Sequence, residues 1–212
     1  MARDATDTRE RLLTTAQRLF ARDGIYQVPL KRIVERAGQR NASALHYHFG
    51  SRDGLLHAII VRHDDRIQAE RHQMLTELER DGRSDDLREL VRALVEPFSH
   101  QLDTVDGREY LQIVSQLSML FDFWDIDLPT GPTETQRMFR SMDQCLPHLA
   151  PALRHERITT LLGLVTEALA MRARLLDGPQ SLPPALDHDD FVANLVDMAV
   201  GALAAPTSTR PT

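Results

Sequence analysis

Cysteine is almost missing: Cys145 is the single one in 212 residues. No internal disulfide can form, and a reducing cytoplasm fits that usage. No apolar run approaches the roughly 18 residues that would span a bilayer. The opening MARDATDTRERL is charged and has no apolar core, so no export is expected. No glycine-rich phosphate loop is present. The histidines include His46-x-His48, His57, His63 and His72. Neither His57 with His63 nor His63 with His72 has the i, i+4 spacing of a helical ligand pair. Cys145 stands between Gln144 and Leu146, not beside the bases that activate a thiol. No Ser/His/Asp arrangement stands out. The reading is therefore non-enzymatic, with no metal and no cofactor.

What is present is ordinary for a soluble globular chain: 42% hydrophobic and 26% charged residues. The net charge of −6 argues on its face against a polyanionic partner, but its distribution reverses that. Up to residue 56 there are ten basic and six acidic residues, a net +4; the remainder has fifteen against twenty-five, a net −10. A basic head on an acidic body suits docking by one end.

That head contains LKRIVERAGQRNASALHYHFGSRDGLL, residues 30–56. Leu30, Ile33, Val34 and Ala37 recur at helical spacing. Pro29 suits a helix start, and Gly38 can take the left-handed conformation that ends one. Asn41 or Ser43 can cap a second short helix through Ala44, Leu45, His46 and Tyr47. Gly50 breaks the chain and Ser51 can cap the next helix. Apolar helix, glycine turn and polar-faced helix make a helix-turn-helix pattern. An earlier helix, capped by Thr6 or Thr8 and ending near Asp23-Gly24, presents Leu12, Leu13, Ala16, Leu19 and Phe20 on one face. The expected head core is Phe20, Ile33, Leu45 and Phe49.

The runs TRERLLTTAQRLFARDG, LKRIVERAG and SALHYHFGSRDGLL resemble, over about the first 56 residues, the DNA-binding domain of the TetR family of one-component transcriptional repressors. Three departures stand out. The turn Ala37-Gly38-Gln39-Arg40-Asn41-Ala42-Ser43 is about one residue longer than the family's usual A-G-V-S or A-G-V-T. His46 falls where the family commonly carries a tyrosine on the DNA backbone, with Tyr47 beside it. Val28-Pro29 stands where a Ser or Thr often caps the second helix.

A recognition helix puts its N-terminal side chains against base edges in the major groove. Arg40 can take guanine and Asn41 adenine, or both can sit in a solvated turn. Ser43 can bond a base or a phosphate, and His46 and Tyr47 can reach phosphate or a thymine methyl. Lys31 and Arg52, near helix starts, are phosphate candidates. His48, beside Phe49, reads as packed or capping.

Beyond the head, a helix from Ser51 to about Glu79 carries Leu55, Leu56, Ile59, Ile60, Ile67, Met74 and Leu78. Its middle, Arg62 to Arg66, is polar all round, as in a helix bridging two domains. Ser84-Asp85-Asp86 starts another helix, which Pro97 is expected to kink or end near Glu96. Further helices are expected from about Arg108 to Phe121, around Met138 to Leu146, from about Leu153 to Leu176, and from Phe191 to Leu203. Prolines and glycine make a loop near Pro129 to Pro132.

Although aromatics are only 5% of the chain, Phe98, Tyr110, Phe121, Trp124 and Phe139 gather in its central third. Met138 and Met142 interleave with them. With Ile113 and Leu117 they are either ordinary core or the lining of a pocket for an apolar ligand; the resemblance favours a pocket. His100, Gln112, Gln116 and Asp122 are its candidate polar contacts. In the last two helices Leu161, Val165, Leu169, Leu195, Val196 and Val200 either pack within the subunit or, as the family implies, form a four-helix dimer interface.

The expected fold is all-α with about nine helices. Residues 1–56 form the DNA-binding head, 57–205 a helical ligand-binding and dimerisation domain, and 206–212 a disordered tail. The resemblance implies a bacterial, cytoplasmic homodimeric repressor on a palindromic double-stranded DNA operator, released by a small apolar or amphipathic effector, with no membrane partner. The alternative is a helical dimeric ligand- or protein-binding module without sequence-specific DNA binding. A true DNA binder would show a steep salt dependence.

Overall fold

The computed structural model describes residues 2–39, 43–118, 133–178 and 185–208. Among these residues the regular elements are nine α-helices and one 3₁₀ turn. The head comprises α1 (Ala2–Asp23), α2 (Leu30–Arg36) and α3 (Ser43–Phe49). α1 begins a turn before the expected Thr6 or Thr8 cap, but ends as expected, with Gly24 donating to the Phe20 carbonyl at 3.1 Å. Phe20, Ile33 and Leu45 are buried, with Phe49 half-buried at the edge of the same cluster. Leu55 and Ile59, from the start of α4 (Arg52–Arg80), complete this core. A three-helix unit of this size could bury little by itself.

α2 closes as its sequence dictates. Ala37 N–H donates to Ile33 O at 2.9 Å and Gln39 N–H to Val34 O at 3.0 Å. Gly38 between them has φ +69°, a left-handed conformation that a Cβ disfavours. Ser51 caps α4, accepting from Gly54 N–H at 3.1 Å.

The body contains the rest of α4, then α5 (Leu87–Ser99), the 3₁₀ turn His100–Asp103, α6 (Val105–Ser118), α7 (Glu134–Gln144), α8 (Pro151–Asp177) and α9 (His188–Ala204). α6 packs against α1 on one side and α8 on the other; α5 packs against α4 and α9. Caps explain the starts. Asp86 accepts from Arg88 and Glu89 N–H, Thr133 and Gln136 form a reciprocal capping box, and Asp187 accepts from Asp190 N–H. Thr104 Oγ1 accepts from Gly107 N–H at 3.0 Å. Gly107 is required there, since a Cβ would sit 2.2 Å from the Gln101 carbonyl oxygen.

Three expectations need correction. Pro97 does not stop α5 at Glu96; it lies inside the last turn. Lacking an N–H, it leaves the Ala93 carbonyl without its helical donor, and Arg71 Nε supplies a substitute at 2.9 Å. The middle of α4, though polar all round, is not solvated all round, because His63 is buried. Leu161, Val165, Leu169, Leu195 and Val196 are buried within the subunit itself, so they are core and not a contact surface. Their helices instead expose Met171, Leu175, Leu176 and Met198. Val200 is half-buried and packs against the core.

The sixth helix starts at Val105 rather than Arg108, and residues 119–132, including the expected proline loop, lie outside the described residues. Of the tail, 206–208 is exposed and non-helical, and 209–212 lies outside the described residues. Among the described residues no helix is long and apolar enough to cross a membrane.

Candidate nucleic-acid interface

The head presents α3 on its surface, held from beneath by Leu45. Tyr47 is 82% exposed and meets only the edge of the His48 ring, at 5.0 Å, among the aromatic contacts. Ser43, the first residue of α3, is exposed. Lys31 is exposed on α2, its Nζ 3.6 Å from Glu35 Oε1. A surface pair one helical turn apart is weak, so Lys31 can exchange Glu35 for a phosphate. Arg40 and Asn41 lie outside the described residues. In sequence they fall between Gly38 and Ser43, the first residue of α3.

Two of the expected contacts do other work. His46 is exposed, but its Nδ1 lies 2.5 Å from the Gly50 carbonyl oxygen, so its ring ties down the C-terminal turn of α3. Of the two readings for His48, packed or capping, the structure shows packing: it sits half-buried between Tyr47 and Phe49. Arg52 points inward. Its Nη1 donates to the Ile25 carbonyl, its Nη2 to the Val28 carbonyl at 2.8 Å, and its guanidinium lies 5.5 Å from the Phe20 ring centroid. It clamps the α1–α2 turn. Tyr26, in that same turn, is 58% exposed and is a phosphate candidate missed from sequence. Its signal was an aromatic between the buried Ile25 and Val28 in a turn.

A polar junction fixes the head to the body. Gln17 Nε2 donates to the Asp106 carbonyl at 2.9 Å and to Asp106 Oδ1 at 2.7 Å. Gln116 Oε1 accepts from Ile25 N–H at 3.0 Å, and its Nε2 donates to the Phe20 carbonyl at 3.2 Å. Gln116 is thus a strut between α6 and the head, not a pocket contact. Arg62 pairs with Glu10, and Arg18 Nε lies 3.5 Å from Glu109 Oε1.

His63 is the centre of this junction. It stacks on Tyr110 at 4.3 Å, faces Gln101 Oε1 from Nδ1 at 3.0 Å, and faces Gln17 Oε1 and Asp106 Oδ2 from Nε2, both at 3.3 Å. Burial pushes its pKa below the ordinary 6.5, outweighing the Gln101 hydrogen bond and the Asp106 charge. The unfolded chain takes up this proton near pH 6.5, and the folded chain only at lower pH. The stabilisation is therefore complete above 6.5 and is lost as pH falls towards the folded pKa. We expect the melting temperature to fall on acidification just below pH 6.5, and a His63→Gln variant to have a flatter profile there. A melting temperature that rises in that window would mean that an imidazolium paired with Asp106 holds the junction.

In the body, Phe98, Tyr110, Ile113, Leu117, Met138, Phe139 and Met142 are all buried; Phe121, Trp124 and Asp122 lie outside the described residues. His100 is on the surface side, its Nδ1 2.9 Å from Glu70 Oε2. Gln112 is half-buried, and its carbonyl accepts from Gln116 Nε2. A cleft of about 470 Å³ lies between α5 and α9, lined by Arg88, Arg92, Glu96, His188 and Val192 among others. It is a mixed-charge groove and shares none of the expected aromatic lining. Burial, with Asp85 and Asp86 nearby, pushes the Cys145 thiol up, so it is no nucleophile at neutral pH. Among the described residues no cluster of His, Cys, Asp or Glu is set to hold a metal ion.

An exposed, polar recognition helix on a buried three-helix core defines a helix-turn-helix DNA-binding domain. The family model described as "Bacterial regulatory proteins, tetR family" matches residues 12–59, less than a quarter of the chain. That stretch is a TetR-type DNA-binding domain. No curated protein matches the chain.

Proposed function

We propose that this chain is a ligand-responsive transcriptional repressor in the bacterial cytoplasm. It binds a palindromic operator as a homodimer and is released by a small apolar or amphipathic effector. The observation that carries this reading is the coupling of the head, through α1 and the α1–α2 turn, to the body by Gln17 and Gln116. Both struts end on α6, which also carries Tyr110, Ile113 and Leu117 of the expected ligand region. A ligand that favours a different placement of α6 changes the placement of the head. It can do so only by as much as it binds the released state more tightly than the DNA-bound one.

The dimer surface that suits this reading is the exposed side of α8 and α9. Met171 and Leu175, one turn apart on α8, are 55% and 49% exposed, and Met198 on α9 is 52% exposed. Gly201, one turn after Met198, has open space where a Cβ would be, so another backbone can approach closely. An exposed apolar surface with small residues suits a second copy. Met198→Asp places a charge there without touching the subunit's core. It is expected to sediment at the 24.0 kDa chain mass, with the wild type at twice that. The variant should lose operator affinity about a hundredfold or more, because two linked heads bind far more tightly than one. A wild-type monomer that binds DNA as well as its variant would overturn this reading.

A further inference from the structure

The interior of the body holds a guanidinium with no carboxylate in ion-pair contact. Arg71, on α4, is 0% exposed, and among the described residues it takes part in no ion pair. Its contacts explain only part of the group. Nε donates to the Ala93 carbonyl that Pro97 leaves free, and Nη1 donates to Thr135 Oγ1 at 2.6 Å. Nη2 is buried and has no partner. The Phe98 ring centroid lies 5.4 Å from the guanidinium carbon. Burial pulls the pKa down to about 10, against the pull of Asp64, Tyr110, Glu134 and Glu70. The group is therefore charged at neutral pH.

A second orphan belongs to the same cluster. Gln68, one turn before Arg71, donates from Nε2 to Asp64 Oδ1 at 2.9 Å and to Thr135 Oγ1 at 3.1 Å. The Asp64 carboxylate fixes which end of this amide is the nitrogen. Its Oε1 is then a buried acceptor with no donor. Thr135 Oγ1 accepts from both Gln68 and Arg71, which leaves its own proton to donate. Buried polar groups are ordinarily paired, and a structural clamp for Ala93 needs neither orphan. A ligand that supplies an acceptor to Arg71 Nη2 and a donor to Gln68 Oε1 removes both.

We infer that Arg71, Gln68 and Thr135 form the recognition point for the head group of an amphipathic carboxylic acid, whose apolar part lies against Phe98, Tyr110 and Met138. This rests on the proposed regulator reading and names the chemical class of its effector. A carboxylate matches the fork of Nη2 and the Thr135 hydroxyl, and a hydroxyl beside it matches Gln68 Oε1. An uncharged apolar ligand would leave Arg71 Nη2 without an acceptor.

The test is the thermal denaturation of the full-length protein with hexanoate, octanoate, decanoate, dodecanoate and their 2-hydroxy forms. The primary alcohols of the same chain lengths are the uncharged controls. A fitting carboxylate at about a hundredfold excess over its Kd should raise the melting temperature by roughly 5 °C or more, and its alcohol by less than about 1 °C. Arg71→Met should weaken that carboxylate at least roughly tenfold. Thr135→Val, which keeps the guanidinium, carries the same test should Arg71→Met not fold. Alcohols that act as well as carboxylates, an unchanged response in the variants, or no response to any carboxylate would each overturn the assignment. Operator binding is read separately. A carboxylate that binds through Arg71 but leaves DNA affinity unchanged supports this site and contradicts effector release. Intact operator binding with no carboxylate response contradicts this site alone.

Discussion

Tyr47→Ala is expected to weaken operator binding roughly ten- to hundredfold, about 1.4–2.8 kcal/mol, and to leave the melting temperature within about 1 °C of wild type. Both halves follow from its position. The ring stands on the solvent side of α3 at 82% exposure, so its removal opens no cavity in the head. On that side it can reach only what docks against the recognition helix. Loss of a base or phosphate contact there costs affinity on the scale of a good direct contact. Titration of operator by fluorescence anisotropy, beside a denaturation curve, separates the effects. Unchanged affinity would mean that α3 does not lie in the groove. A large drop in melting temperature would mean that the ring packs against the head.

Arg52→Ala is expected to do the reverse. Its guanidinium bridges the Ile25 and Val28 carbonyls and covers Phe20. Without it, two carbonyls at the α1–α2 turn lose charged donors in a part-buried setting. Such bonds contribute about 1.5–3 kcal/mol each. Because the side chain is half-exposed, water recovers some of this, and a net cost of about 2–3 kcal/mol follows. That corresponds to a fall in melting temperature of roughly 5–10 °C for a chain of this size. The salt dependence of DNA binding by the folded variant should be unchanged. A phosphate-contacting arginine would behave oppositely: little change in stability, and a salt slope shallower by about one ion.

The contrast between these residues shows what a sequence can and cannot tell. Gly38, Ser51 and the buried Ile33 and Leu45 were legible because turn chemistry and helical spacing act locally. Whether a residue such as Arg52 faces DNA or the α1–α2 turn depends on where Ile25 and Val28 arrive in space, and no local pattern encodes that. α4 makes the point more sharply. Ile59, His63, Ile67, Arg71, Leu75 and Leu78 continue one buried face, at steps of three and four residues. Hydropathy treats His63 and Arg71 as interruptions, although their position in the stripe was visible from the start. Their partners, Gln17, Gln101 and Thr135, come from other helices. Pro97 misled for a related reason: its cost falls on the Ala93 carbonyl, and Arg71 meets it from another element. On α8 and α9, apolar spacing identified a buried face correctly but could not say whether it was buried by the subunit or by a second copy.

The most direct test of the whole account is selection of bound sequences from a random double-stranded DNA pool by the purified full-length protein. The Tyr47→Ala variant is carried in parallel. The account predicts enrichment of two inverted half-sites, spaced by about one helical turn of DNA or a multiple of it, and loss of that enrichment in the variant. No enrichment at low salt, or enrichment of a lone half-site without its inverted copy, would contradict it.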